Sequence, residues 1–349
     1  MKLIILEKII EGLVNVGQRL GVTYRLSSPI SSIILSSDQR SATGVQFENG
    51  ERLNADIVVC NADLIYAYNS LLPASSQATS LSKRSTSCSS ISFYWALNKK
   101  VPELRAHNIF LANAYRESFD SIFKDHLIPE EPSFYVNVPS RVDPTAAPAG
   151  CDSVIVLVPV GHLLNSKAPS EGPVKDDRDW PSIIGLARSQ VLDTIRTRIG
   201  VNPEPLIIHE QVNDPLIWKA KFNLDRGAIL GLSHSFFNVL SFRPKTRHPS
   251  IKGLYFVGAS THPGTGVPIC LAGAKIVANQ ILTDQGMESP WKEGGLHIEG
   301  NGKGIDAVQS RLVLSTLYWI LLLIIGLVLA LFIYAGGNVS GLKLTLGDW

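Results

Sequence analysis

The residues best suited to chemistry lie in one run, Gly253 to Lys275, GLYFVGASTHPGTGVPICLAGAK. An apolar stretch, Leu254 to Val257, leads into a turn holding Gly258, Gly264 and Gly266, and a helix rich in small residues is expected from about Pro268. Glycine lets a backbone approach a ligand closely, and the start of a helix turns unpaired N–H groups and a positive dipole end toward it. Pro268 suits the first helical turn, where a missing N–H costs little. The natural guest is an anion or an electron-rich ring, although the same pattern also occurs as plain loop geometry. It is not a dinucleotide fingerprint: Ile269 stands where G-x-G-x-x-G needs its third small residue, and Gly300-x-Gly302 has no third member. No P-loop, G-x-S-x-G or H-E-x-x-H motif occurs, and no nucleophile elbow surrounds Ser260 and His262.

Several elements must position this turn. Ile5, Ile9, Leu13, Val16 and Leu20 recur at helical spacing up to Gly21, which predicts an amphipathic helix that has to pack on something. Val22 to Leu26, Ser31 to Leu35, Thr43 to Phe47 and Arg52 to Val59 read as strands. Asn49-Gly50 between the last two predicts a two-residue type I′ hairpin. Ile57 to Cys60 is continuously apolar, as in a strand buried on both faces, and it ends in Asn61-Ala62-Asp63. Ile91, Phe93, Trp95 and Leu97 alternate with Ser90, Ser92, Tyr94 and Ala96, the period of a strand with one large apolar face. Further strands are expected at Asn108 to Leu111, Phe134 to Val138 and Val154 to Val158, and a helix over Ile183 to Ile199, so the class is mixed α/β.

Across 349 residues the net charge is only +2, which removes the electrostatic case for binding nucleic acid. Charged residues are 18% and apolar ones 45%, so the chain is not disordered and part of it is suited to lipid. That excess concentrates in Leu312 to Tyr334, an uncharged run whose length at about 1.5 Å per residue matches a bilayer core. A glycine-rich tether, Gly286 to Gly304, precedes it. Lys292, Lys303 and Arg311 lie before the run and only Lys343 follows closely, which places the large N-terminal part in the cytosol on an endomembrane. Four cysteines, Cys60, Cys88, Cys151 and Cys270, show no metal or disulfide spacing and are expected to be buried thiols.

The glycine run resembles the C-terminal signature of the bacterial and fungal type of phytoene desaturase, within the FAD-dependent carotenoid and amine oxidoreductases. Pro29 to Ile33, Ala55 to Asp63, Ser89 to Trp95, Asn223 to Ala228 and Phe242 to Pro244 are similar to that family in the same order. The resemblance implies the C-terminal part of a two-domain, amine-oxidase-like α/β fold with one C-terminal transmembrane helix. Residues 1–66 and 246–284 would belong to the FAD-binding domain and 67–245 to the substrate domain. A tether over 285–311, a span over 312–335 and a tail over 336–349 would follow. The family's opening βαβ unit is expected to be missing here.

The implied cofactor is FAD, with NAD as an alternative acceptor. The implied partners are phytoene, partly desaturated carotenoids and membrane lipid, with self-association open. Backbone groups of Gly258, Ala259, Gly264, Gly266 and Val267, with the helix start at Pro268, would face the flavin. Thr261 and His262 would reach it or simply stabilise the turn, and Ile30 would meet adenine or serve as core. Phe93, Trp95 and the Phe236-Phe237 pair would suit an apolar tunnel and membrane docking, or ordinary packing. His234, Arg243 and His262 are candidates for proton removal, and no catalytic residue is assigned. The alternatives are a remnant unable to hold FAD, and a carotenoid isomerase or retinoid saturase on the same scaffold.

Overall fold

The computed structural model describes residues 4–164 and 178–291. In chain order the elements are α1 (Ile4–Arg19), β1 (Ile30–Leu35), β2 (Ala42–Phe47), β3 (Arg52–Asn54), β4 (Val58–Cys60) and α2 (Leu64–Tyr66), which continues as a π-helical turn, Ala67–Leu71. Then come α3 (Ser76–Ser82), β5 (Ser89–Leu97), β6 (His107–Phe110), α4 (Tyr115–Phe123), β7 (Phe134–Asn137) and β8 (Asp152–Val160). After these, α5 (Trp180–Ile199), β9 (Ile207–Asn213), α6 (Pro215–Phe222), β10 (Leu254–Phe256) and α7 (Val267–Asp284) complete the described chain.

The larger sheet is antiparallel, in the order β6-β7-β8-β5-β9. The alternating strand β5 lies between β8 and β9: Ile91, Phe93, Trp95 and Leu97 are at most 1% exposed and pack with Val154, Val156 and Val158 of β8 under the α5 residues Ala187, Val191 and Ile195. A second core joins Ile33, Val58, Leu64, Leu254 and Phe256 around two small sheets, antiparallel β1-β2-β3 and parallel β10-β4. The side chain of Asp152, at the start of β8, is fully buried, and Arg141, the Ser140 hydroxyl and the Val101 N–H all donate to its carboxylate. Burial disfavours its charge, but these donors hold it below the ordinary carboxylate range.

Several expectations are corrected. Val22 to Leu26 forms no strand, and Arg52 to Val59 is split into β3 and β4. The β2-β3 connection is not a type I′ turn, since Asn49 lacks a positive φ and only Gly50 has one, at +85°. Gly50 N–H bonds Phe47 O while Phe47 N–H bonds Glu51 O, the wider loop that needs a single left-handed residue. In β4, Val59 is 45% exposed, so that strand is covered on one face. The apolar stripe of α1 meets no cover among the described residues: Ile9, Leu13 and Leu20 are 46%, 55% and 79% exposed. Of the cysteines only Cys60 is buried; the other three are half-buried, and all four are free.

The run 312–334 and most of the tether lie outside the described residues. Among the described residues no helix is long and apolar enough to cross a membrane. The sequence reading missed β9 and α6, whose short polar-interrupted segments show neither a clean period of 2 nor one of 3.6.

Candidate functional site

Strands β4 and β10 run parallel and in register, with Val58 beside Leu254 and Cys60 beside Phe256. Their carboxyl ends therefore emerge together, which is where open α/β sheets present ligand sites. One end continues as Asn61-Ala62-Asp63, the other as Gly258 and the glycine bend, and Val257 N–H still bonds Cys60 O at 3.1 Å. Gly258 has φ +122°, and a Cβ built on it would stand 2.7 Å from Asn61 Oδ1. A glycine is required there by both conformation and contact.

The bend is held from behind by Arg243, which is 2% exposed. Its guanidinium donates to the carbonyls of Asn238, Ala259 and Thr261. Burial lowers its pKa. Gly264, at φ +142°, lies against the same side chain, where a Cβ would come within 3.6 Å of Arg243 Nε. Thr261 is buried, and its Oγ1 donates to Gly258 O at 3.0 Å, closing the turn on itself. His262 is exposed, with its N–H bonded to Pro244 O. Gly266, at φ +106°, is the N-cap of α7 and brings no side-chain cap, so Gly266, Val267 and Pro268 present an open helix start at the surface.

This arrangement fits one end of a flat, electron-rich cofactor such as a flavin. The bend is a cradle that side chains would fill, and the uncapped start of an 18-residue helix supplies donors and a positive dipole end. Ile30 is apart from the bend in sequence, half-buried at the start of β1 against the second core. His234 is exposed, and its pKa is lowered by desolvation and by the Arg243 charge.

The bend adjoins a cavity of about 920 Å³ on the face of the larger sheet opposite its core. The strand alternation explains it. Phe93 and Trp95 turn into the core and not into the cavity, whereas Ser92 and Tyr94 of β5 and Ile155 and Leu157 of β8 turn into the cavity. Trp218 and Phe222 of α6 roof it, and Trp218 Nε1 is anchored to Ser90 O at 2.9 Å. Asn61, Ala62 and Asp63 close its side next to the bend. Phe236 and Phe237 stand outside it, 70% and 71% exposed, in edge-to-face contact with each other and in edge-to-face and tilted contact with Phe242.

Sequence reasoning passed over Asp63, which lines the cavity. Its carboxylate Oδ1 accepts the Tyr66 N–H at 3.0 Å. Burial, with Asp225 as a second negative neighbour, pushes its pKa up to about 6. The available signal was a polar N-A-D triplet ending a buried strand.

Comparison with known proteins shows which family the chain resembles. The phytoene desaturase of Fusarium fujikuroi is 60% identical over 298 residues, covering 82% of this chain and 52% of the relative. That of Cercospora nicotianae is 51% identical over 368 residues, covering 90% of this chain and 59% of the relative. This chain is homologous to the phytoene desaturases. It spans about half the length of the curated phytoene desaturases it matches. A solved oxidoreductase from Methanosarcina mazei shares the mixed α/β fold at a TM-score of 0.51 and 16% identity, over 78% of this chain and 53% of that one. No protein-family model matches.

Proposed function

We propose that this chain carries the substrate cavity and the flavin-ring cradle of an FAD-dependent phytoene desaturase in carotenoid biosynthesis. The observation that carries the reading is the junction at Asn61 to Asp63, where an apolar cavity of about 920 Å³ meets the glycine bend. A C40 hydrocarbon offers no hydrogen-bonding groups, so it must be recognised by shape and apolar burial, which Trp218, Phe222, Ile155 and Leu157 supply. When bound, FAD supplies two-electron oxidation of a CH–CH unit.

The chain's own residues do the rest. Backbone groups of Gly258, Ala259, Gly264, Gly266 and Val267 would hold the flavin, and the α7 dipole would favour negative charge gathered there. Arg243 keeps the bend in shape and leaves its positive charge behind it. The aromatic roof excludes water from the reacting carbons. The apolar run 312–334 anchors the chain in a membrane, with the described body on the cytosolic side, so that the cavity draws its substrate from lipid.

The test is to incubate the purified chain with FAD and with phytoene in phosphatidylcholine vesicles. Bound flavin absorbance and products of longer conjugation are expected. A chain that stays colourless supports a remnant, and loss of phytoene without longer conjugation points to another member chemistry on this scaffold.

A further inference from the structure

We propose that Asp63 is a catalytic residue of this site, the base that receives the proton released as each new double bond forms. The inference rests on the desaturase reading above and names a group which that reading leaves open.

The argument begins with position. The pairing of β4 with β10 brings Asn61 to the end of β10, where its Oδ1 lies against Gly258, and Asp63 follows two residues later on the cavity wall. It therefore stands at the border between the ring cradle and the hydrocarbon cavity, where the reacting carbons must lie. Among the described residues lining that cavity it is the sole carboxylate. The other strong proton acceptor there, His107, belongs to the edge strand β6, and its Nδ1 is already engaged with the Tyr135 hydroxyl at 2.6 Å. Asp63 is also held rigidly, because its Oδ1 caps α2 through the Tyr66 N–H.

The surroundings suit a base working near neutrality. Asp225 is the charged group facing Asp63 from the segment after α6, and Arg226 and Lys219 in turn face Asp225. The Cys60 thiol faces it from β4. The carboxylate is thus ionised at neutral pH yet accepts a proton readily once an apolar substrate has displaced water.

The step balances as follows. One carbon of the CH–CH unit loses hydride, with its electron pair, to an oxidised flavin-class acceptor. Its neighbour loses a proton to a carboxylate oxygen of Asp63. The electron pair of that second C–H bond becomes the π bond, and the proton leaves Asp63 for solvent before the next cycle.

Asp63→Asn preserves the helix cap and removes the base. With flavin content within twofold of the unaltered chain, turnover of phytoene in vesicles is expected to fall about 100-fold or more. Asp63→Glu is expected to recover part of it. A second measurement needs neither flavin nor turnover: the carboxyl of Asp63, followed by carbon NMR in a ¹³C-aspartate-labelled chain and assigned by its absence in the Asn variant, is titrated with and without squalene. Squalene, an unreactive isoprenoid hydrocarbon, is expected to raise the midpoint. Turnover within threefold in Asp63→Asn, or a midpoint that squalene leaves unmoved, overturns the proposal. An unaltered chain that binds flavin but never desaturates phytoene sinks the desaturase reading, while the squalene titration still decides whether Asp63 faces the cavity's contents.

Discussion

Gly258 shows how little of a site a single residue can spare. Its φ of +122° is one that side-chain-bearing residues rarely adopt, and Asn61 Oδ1 occupies the place a Cβ would take. Gly258→Ala is therefore expected to cost about 1–3 kcal/mol in denaturant unfolding and to lower flavin retention, since the bend must shift to relieve the contact. Unchanged unfolding in this variant would mean that Asn61 simply swings away. Arg243 is a residue whose role was half legible. The sequence marked it as a candidate for proton removal, but only folding shows that three backbone carbonyls occupy it. A guanidinium so engaged is a clamp, and the same bonds explain why it is a poor base.

At the scale of elements, the alternation of β5 was the clearest signal in the sequence, and the core residues it named are buried as expected. The second face of that strand was less legible. Ser90, Ser92 and Tyr94 look solvent-exposed by polarity, yet Ser90 and Ser92 are buried and all three line the cavity, because α6 folds over them. The Asp152 knot joins the start of β8, the loop at Val101 and the turn at Arg141, three pieces distant in sequence. Asp152→Asn leaves Arg141 without its counter-charge, so a loss of about 3–5 kcal/mol is expected by urea denaturation. A loss below about 1 kcal/mol would show that Ser140 and Val101 alone suffice.

For the whole molecule, one acid-sensitive contribution to stability comes from a histidine pair beyond the end of β8. His162, 9% exposed, packs against His126 with ring centroids 4.2 Å apart and the planes tilted by 39°, and Arg178 and Arg226 face both rings. Burial first, and then these positive neighbours, lower the His162 pKa to about 4 from an ordinary 6.5. The unfolded chain thus binds more protons than the folded one between those values. The His162 contribution to stability is full above about pH 6.5 and is lost as the pH falls toward 4, by about 1–3 kcal/mol, while Asp63, with its raised pKa, works in the opposite sense over much of that range. Measured against His162→Gln, the unaltered chain should lose thermal stability across that range. An equally steep decline in that variant would assign the effect elsewhere.

The sequence by itself determined what short-range physics controls: the mixed class, the period-2 core strand, the glycine bend and the helix that opens near Pro268. Local conformational preference and patterning are written in neighbouring residues, so they survive without a fold. Only the tertiary structure decided that β4 pairs with β10, that Asp63 thereby stands between bend and cavity, and that Phe93 and Trp95 face away from it. These depend on contacts between residues some 200 positions apart, and no pattern within one segment encodes which partner it will meet.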